Sequence, residues 1–377
     1  MRFLVLLLLL STSPTVHAQW DLQNSHTEAS LRGVHSLGNG VAWASGTDGT
    51  VLRTEDAGVT WKVCGVASGA EKLDFRGIQA FDSKTAIVMS SGKGDLSRVY
   101  KTTDGCQTWK LVFKNPDEDG FFDAIQKVQG NALEILGDPV NNTFALFSSS
   151  DLGETWVVDG DPGRVAAAGA GAFAASNSSL IYLDPFTFFA TGASSASPAQ
   201  VFRTHAHCVP PKNKPLGFPT DCTLEWAAKY VQVGSIEPGS GVFSLAASAG
   251  TRGKNGLTKI TIVAVGGTYT KPDGTLGTAA SSIDGGLSWL PAITLPHGYR
   301  SSIAYDAPAK TWITVGPNGT DISTDDGRNW RALKPGSGDA SDADKNWNAL
   351  SLPFVVGPHG RIGLLRKDVL VAPAHRK

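Results

Sequence analysis

Thr54-Glu55-Asp56-Ala57-Gly58-Val59-Thr60-Trp61 is the stretch of this sequence that decides the fold, because its pattern recurs along the chain. The pattern is Ser or Thr, any residue, Asp, any residue, Gly, any residue, Ser or Thr, and Trp. Clean copies occupy 149–156 and 282–289. Three further copies are each altered in one way. In one, Asn329 replaces the second hydroxyl residue; in another, Cys106 replaces the glycine; in the third, a long insertion separates Arg203-Thr204 from Glu225-Trp226. Self-similarity at a period of about 20–50 residues predicts a repeat fold.

The chemistry of this motif, an Asp box, is that of a turn. Its Asp and hydroxyl side chains accept hydrogen bonds from nearby backbone N–H groups, and its glycine permits the positive φ of a tight hairpin. The Trp begins the next strand and packs between sheets. We therefore interpret these residues as structural, rather than as calcium ligands or catalytic groups. They are Asp56, Trp61, Asp104, Trp109, Asp151, Trp156, Asp284, Trp289, Asp325 and Trp330.

Around the first motif, apolar segments at 31–34, 41–44, 50–53 and 61–63 predict one four-stranded antiparallel sheet. A unit of about 45 residues is the size of a propeller blade. The unit restarts near residues 75, 122, 171, 241, 299 and 347. The sequence thus predicts an all-β, seven-bladed β-propeller, with six or eight blades and a parallel β-helix as alternatives.

The two ends of the chain predict how the ring closes. Residues 20–22 resemble a fourth strand without a blade, whereas the unit that begins at 347 ends before a fourth strand. We expect the N-terminal strand to complete the last blade, which would remove the exposed sheet edges of an open array.

The first residues are typical of a signal peptide. Arg2 precedes the apolar run 3–10, and Val16-His17-Ala18 matches the pattern of a small-residue cleavage site. We expect residues 1–18 to be removed and 19–377 to form one secreted or periplasmic domain, with an uncleaved membrane anchor as the alternative. The net charge of −1 does not favour nucleic acid as a partner.

Four cysteines in an exported chain suggest disulfides. Cys208 and Cys222 flank a Pro-rich insertion in the fourth blade and are expected to pair, which leaves Cys64 to pair with Cys106. Free, buried Cys64 and Cys106 are the alternative.

Longer segments around the motifs resemble a known family. The segments 31–34, 46–49, 53–61, 75–78, 91–95 and 100–104 look like the photosystem II stability and assembly factor family of plants and cyanobacteria. The resemblance covers nearly all of the chain after residue 18, although the insertion at 208–222 departs from the family pattern. It implies a seven-bladed, exported propeller that acts as a non-enzymatic assembly factor.

The innermost strands of a propeller line its central channel, so the variable second residue of each unit is a candidate for function. In order these residues are Arg32, Arg76, Asp123, Gly171, Gly241, Arg300 and Asn348. Arginine forks bind carboxylates and phosphates, and a ring of them predicts a site for an anion or an acidic peptide. The alternative is a structural network in which Arg32 or Arg76 pairs with Asp123.

A second group of candidates follows the second strands. Lys93 and Asp95 correspond in position to Asp138 of the next unit. The two Asp residues are candidates for an acid and base pair, and a solvated turn is the alternative.

The motifs also occur in sialidases and xyloglucanases, so a glycoside hydrolase is the competing function. No Arg-Ile-Pro segment of the sialidase type occurs. A hydrolase would need paired carboxylates across the channel, and Asp123 with Asp95 or Asp138 is the pairing available. We expect no catalytic set, cofactor or metal. We expect a monomer that binds a protein or a small anionic or carbohydrate ligand, without nucleic acid.

Overall fold

Seven four-stranded antiparallel sheets follow one another around a ring in the computed structural model. It describes the backbone of residues 19–209, 221–252, 258–336, 339–366 and 369–370, and their side chains except those of 206–209, 221, 222, 251, 252 and 258. The innermost strand of each sheet contacts the innermost strands of its two neighbours, and the last sheet contacts the first. The predicted seven-bladed, all-β propeller is confirmed, and the alternatives of six blades, eight blades or a β-helix are wrong.

Blades 1 to 3 follow the chain from the inner to the outer strand. Their strands are β2 (Leu31–Ser36), β3 (Ala42–Gly46), β4 (Val51–Thr54) and β5 (Lys62–Val63); β6 (Phe75–Ala80), β7 (Ala86–Ser90), β8 (Arg98–Thr102) and β9 (Lys110–Lys114); β10 (Phe122–Lys127), β11 (Leu133–Val140), β12 (Thr143–Ser149) and β13 (Val157–Val158). A 3-10 turn, Gly94–Leu96, lies between β7 and β8.

Blades 4 to 6 follow the same order. Their strands are β14 (Leu180–Leu183), β15 (Phe186–Ala190), β16 (Gln200–Val209) and β17 (Asp221–Tyr230); β18 (Ser240–Arg252), β19 (Thr258–Thr268), β20 (Ala279–Ser282) and β21 (Leu290–Pro291); β22 (Ser302–Asp306), β23 (Thr311–Gly316), β24 (Gly319–Ser323) and β25 (Arg331–Leu333). Blade 7 contains β26 (Ala349–Ser351), β27 (Phe354–Val356), β28 (Ile362–Leu365) and, outermost, β1 (Trp20–Gln23).

The N-terminal strand therefore closes the ring, as predicted. Trp20 pairs with Leu365 in the antiparallel ladder, and its buried indole N–H donates to the Thr320 hydroxyl of blade 6 at 3.1 Å. The Trp20 ring also lies 6.1 Å from that of Trp347. The outer edge of blade 7 is thus covered by a strand that is anchored in the core.

Burial explains why the second strands of blades 1 and 2 contain no charged residue. Every residue of β3 and of β7 is buried, because both faces of these strands are covered by neighbouring blades, whereas both residues of the outermost strand β5 are exposed. Between blades 1 and 2 the core contains Trp43, Phe75 and Tyr100. Each blade thus depends on its neighbours for burial.

The eight-residue turns lie between the third and outermost strands. In the first turn the Asp56 carboxylate accepts hydrogen bonds from the Thr60 N–H at 2.9 Å and the Thr60 hydroxyl at 2.6 Å. These bonds, the side-chain bond first, lower the pKa of Asp56 to about 2. The same acceptor position is occupied by Asp104, Asp151, Asp284 and Asp325.

The Trp that ends each turn packs against the preceding blade. Trp61 is buried and meets Phe354 of blade 7 edge-on, with ring centroids 5.4 Å apart. Trp156 stacks on Phe113 of blade 2 at 5.8 Å. These contacts fit the packing role that the sequence predicts for the Trp of the motif.

A disulfide joins Cys64, directly after β5, to Cys106 in the turn of blade 2, so that predicted pair is confirmed. Cys106 occupies the glycine position of the motif and has the positive φ of 66° that this position demands. Cys208 and Cys222 lie opposite each other in the β16–β17 ladder, but their side chains, like the predicted signal peptide 1–18, lie outside the described residues. Within the described ranges, no helix is long and apolar enough to cross a membrane.

Blade 4 departs from the predicted register. The unit was expected to begin near Gly171, and the Gly192 N–H does donate to the Gly171 carbonyl at 2.7 Å. The regular ladder, however, begins only at Leu180. Residues 173–178 leave the sheet between these points and enter the channel, where they form a segment that we call the crossing segment.

Candidate functional site

A β-bulge near the start of the inner strand positions the candidate residues of the first three blades. The register of the inner ladder shifts between Leu31 and Gly33 in blade 1, and at the equivalent points around Arg76 and Asp123. A bulge leaves one residue out of the regular ladder and re-aims its side chain. Arg32, Arg76 and Asp123 therefore occupy equivalent positions, as the sequence predicted.

A cavity of about 660 Å³ lies at this end of the channel, where the inner strands begin. We call it the arginine mouth. Arg32, Arg76 and Asn348 line it among the residues that the sequence singled out. Its other lining residues are Phe173, Ala174, Ala175, Gly239, Phe243, Tyr269, Tyr299, Ser301, Pro317 and Trp347.

The two arginines of the mouth differ in their partners. Arg76 donates from Nε to the Asp74 carboxylate at 2.7 Å and from Nη1 to the Ala174 carbonyl at 3.2 Å. The Arg32 side chain makes no hydrogen bond or ion pair with another described residue, and its Nε is buried. Burial and the nearby Arg76 charge lower the pKa of Arg32. The suggested pairing of either arginine with Asp123 is replaced by the Arg76–Asp74 pair. Arg32 has no hydrogen-bond or ion-pair partner among the described residues, although the charge of Asp74 acts on it as well.

The opposite wall of the mouth is aromatic, which the sequence did not predict. Phe173 stacks on Phe243 with ring centroids 3.7 Å apart, and Phe243 meets Tyr299 edge-on at 4.7 Å. Phe243 lies at the bulge of β18, so it occupies the position that the sequence assigned to Gly241. Tyr269 contributes a ring that is 54% exposed. The mouth thus joins unsatisfied positive charge to an apolar wall.

Arg300 does not line the mouth. Its backbone N–H donates to Gly266 of the preceding blade, as that of Leu31 does to Gly357, so Arg300 occupies the buried position that precedes the bulge. The guanidinium is 0% exposed and donates from Nε to Asp321 at 2.8 Å. A register shift of one residue places Ser301 at the channel instead.

Asn348 lies in the predicted position and links the last blade to the first. Its amide Nδ2 donates to the Leu31 carbonyl at 2.8 Å, next to Arg32. The amide nitrogen is therefore engaged in holding blades 7 and 1 together at the edge of the mouth.

The charge of Asp138 acts on Asp123, but neither residue lines the mouth. Asp123 is 1% exposed and its Oδ2 has no hydrogen-bond partner in the described structure. Burial, followed by the charge of Asp138, raises the pKa of Asp123 well above its usual range. Asp138 accepts a hydrogen bond from the Ala172 N–H at 2.8 Å, and burial raises its pKa as well. Asp123 is thus a buried carboxyl group that favours the protonated form.

Replacing Asp123 with asparagine should make the protein increasingly more stable than the wild type as the pH rises. A folded-state pKa above the unfolded value of about 3.9 gives stability that is present at low pH and lost on ionisation. The difference in unfolding free energy should grow from about pH 4 upward by at most about 1.4 kcal/mol per pH unit, and level off above the folded-state pKa. Urea denaturation at pH 4, 6 and 8 measures it. Glu28→Gln, which neutralises an exposed carboxylate, is the control. If the difference in unfolding free energy between Asp123→Asn and the wild type did not change with pH, the raised pKa of a buried Asp123 would be contradicted.

Lys93 and Asp95 form a separate surface. Lys93 pairs with Asp119 at 2.7 Å, and Asp95 pairs with Arg98 at 3.1 Å. Both residues line a shallow groove with residues 115–118. This groove does not include Asp138, so the proposed acid and base pair of Asp95 with Asp138 has no shared site.

These features define a class of protein: a seven-bladed β-propeller that carries a charged and aromatic cavity at one end of its channel. Two solved structures share this fold across almost the whole chain. A structure described as YCF48 bound to D1 peptide has a TM-score of 0.54 and 14% identity, and covers 93% of this chain and 98% of its own. YCF48 from Cyanidioschyzon merolae has a TM-score of 0.57 and 16% identity, and covers 93% and 100%.

A third similar structure is the GH74 xyloglucanase from Xanthomonas campestris, with a TM-score of 0.33, 14% identity, and coverage of 83% of this chain and 50% of that one. A likeness this low does not support a shared function. No protein-family model matches the chain, and no curated protein matches its sequence. At these identities, the two YCF48 structures show the fold alone.

Proposed function

We propose that this protein is a non-catalytic, extracytoplasmic binding propeller that recognises an acidic segment of a partner protein at the arginine mouth. One observation carries this proposal. The Arg32 guanidinium is partly buried, has no partner among the described residues, and lines the same cavity as a second arginine, Arg76. A buried donor without an acceptor costs about 1–3 kcal/mol, and more when it is charged. A carboxylate of the partner would satisfy it through two parallel hydrogen bonds.

The aromatic wall supports a peptide ligand rather than a simple ion. Phe243, Tyr269 and Tyr299 offer apolar surface next to the arginines, and aromatic residues and arginine are enriched at protein interfaces. The solved YCF48 structure with a bound peptide gives a precedent on the same fold. The resemblance of the sequence to photosystem II assembly factors implies the same kind of role. The Cys64–Cys106 disulfide supports a location outside the cytoplasm.

Reversing both arginines, Arg32→Glu with Arg76→Glu, should abolish capture of the partner. Breaking a desolvated charge pair costs about 2–5 kcal/mol, so recovery of specific partners should fall by roughly 30-fold or more. The measurement is a quantitative pull-down on immobilised protein from an envelope extract. Lys62→Glu with Arg331→Glu changes the net charge equally, at exposed positions on outermost strands, and should retain the partners.

An unchanged set of partners in the Arg32 and Arg76 variant would contradict the proposed site. Hydrolysis of glycosides by the purified protein, lost on Asp138→Asn, would instead favour the glycoside hydrolase.

A further inference from the structure

The crossing segment separates the channel into two cavities. Its first half, residues 173–175, lines the arginine mouth, whereas residues 176–178 line a second cavity at the opposite end. Asn177 has a φ of 60° and accepts a hydrogen bond from the Ile125 N–H at 2.8 Å, and Ser178 bonds the Ser244 hydroxyl at 2.6 Å. The segment is thus held by blades 3 and 5 and forms a fixed floor for the second cavity.

The second cavity has a volume of about 690 Å³, which suits a small molecule. Its walls come from the far ends of the inner strands of blades 1, 2, 3 and 7. Apolar side chains include Val34, Leu37, Phe81, Val128 and Leu350. None of the described residues that line it is an aspartate or a glutamate. We therefore infer the ligand from the basic and neutral polar groups on its walls, above all His35 and Lys127.

His35 lines this cavity, and its neutral ring carries one hydrogen-bond donor. Its Nδ1 accepts the backbone N–H of Ala80 at 2.8 Å, so the neutral ring carries its proton on Nε2. Nε2 has no hydrogen bond to another described residue. Burial lowers the pKa of His35 to about 4, which keeps the ring neutral at physiological pH. The Nε2–H group is therefore a hydrogen-bond donor without an acceptor among the described residues.

Lys127 adds a positive charge to the same wall. Gln79 connects the two residues, because its Nε2 lies 3.1 Å from His35 Nδ1 and its Oε1 accepts the Lys127 backbone N–H at 3.2 Å. The Lys127 ammonium group forms no hydrogen bond or ion pair within the described part of the chain. One amide thus links the His35 ring to the Lys127 backbone, and both residues line the second cavity.

We propose that the second cavity binds a small organic carboxylate. The carboxylate accepts hydrogen bonds from the Lys127 ammonium and from His35 Nε2–H, while the carbon skeleton of the ligand packs against the apolar wall. One lysine and one neutral imidazole match the single charge of a carboxylate. A phosphate dianion would leave one negative charge unbalanced, because Lys127 is the one lysine or arginine among the described residues that line the cavity. This site is distinct from the arginine mouth, because the crossing segment lies between them.

The test compares benzoate with benzamide, which have the same ring and differ in charge. Titration calorimetry on the full chain should show benzoate binding at least about tenfold tighter, since hydrogen bonds to charged groups contribute about 1.5–3 kcal/mol. Lys127→Met should remove this preference. His35→Asn, whose amide oxygen replaces the acceptor for Ala80, should reduce it. Lys62→Met, at an exposed lysine, is the control.

A second measurement uses the wild-type protein, so it does not depend on how the variants fold. Benzoate, but not benzamide or inorganic phosphate, should protect Lys127 from acetylation by an amine-reactive ester, with Lys62 as the internal reference. Equal protection by benzamide, stronger protection by phosphate, or no protection at all would overturn the proposal. Retained partner capture by Lys127→Met would show that the two cavities act separately.

Discussion

Replacing Asp321 with alanine is expected to lower the free energy of unfolding by about 3–5 kcal/mol, because it leaves a fully buried arginine without its counter-ion. Arg300 is 0% exposed and donates to Asp321 through Nε, and its Nη2 contacts the same carboxylate. His297 Nδ1 also lies 2.8 Å from Asp321. Burial alone would raise the pKa of Asp321, but the bond with His297 and the charge of Arg300 outweigh it and lower that pKa. Guanidinium denaturation at neutral pH measures the loss.

A double variant distinguishes the loss of stability caused by an unpaired buried charge from the loss caused by a smaller side chain. Arg300→Met with Asp321→Leu removes both charges and retains side-chain volume, so it should lose much less stability than Asp321→Ala alone. A loss below about 1 kcal/mol for Asp321→Ala would contradict the buried ion pair.

Removing the disulfide should cost about 4 kcal/mol of unfolding free energy. Cys64 and Cys106 are separated by 42 residues in sequence, and closing a loop of this length lowers the entropy of the unfolded chain by that order. The variant Cys64→Ser with Cys106→Gly is the sharpest form of the test. Glycine suits the positive φ at residue 106 and restores the repeat pattern, so the variant removes the cross-link without straining the turn.

Thermal and guanidinium unfolding of this variant, compared with the oxidised wild type, measures the difference. The reduced wild type is the control and should match the variant. A loss below about 1 kcal/mol would show that the bond does not constrain the unfolded chain.

The fold could be predicted from the sequence because its signals are local. The eight-residue turn fixes where the third strand of a blade ends and where the fourth begins, through contacts within the turn itself. The orphan strand at Trp20 and the incomplete last unit together predicted the closure. In blade 4 a long insertion interrupts the turn, and there the sequence did not predict where the inner strand begins. No local pattern indicates that residues 173–178 leave the sheet to cross the channel.

The site was only partly predictable, because its pairing is not local. Arg32 and Arg76 could be placed because the glycine that follows each of them marks the inner strand. Arg300 follows an aromatic residue, Tyr299, as Arg76 does, but Ser301 and Ser302 stand where the other two units have one glycine. Its counter-ion Asp321 lies on β24, two strands further along the chain. The aromatic wall is assembled from the crossing segment and blade 5, whose Phe173 and Phe243 meet only in the folded ring.

The central claim, that a partner binds at the arginine mouth, is tested most directly by site-specific photo-crosslinking. A photoreactive p-benzoylphenylalanine replaces Tyr269 at the mouth or, in a second variant, Val157 on an outermost strand, both of which are exposed. We predict a protein adduct from position 269 that disappears when Arg32→Glu is added, and none from position 157. Adducts from position 157 alone, or adducts from position 269 that persist with Arg32→Glu, would contradict the account.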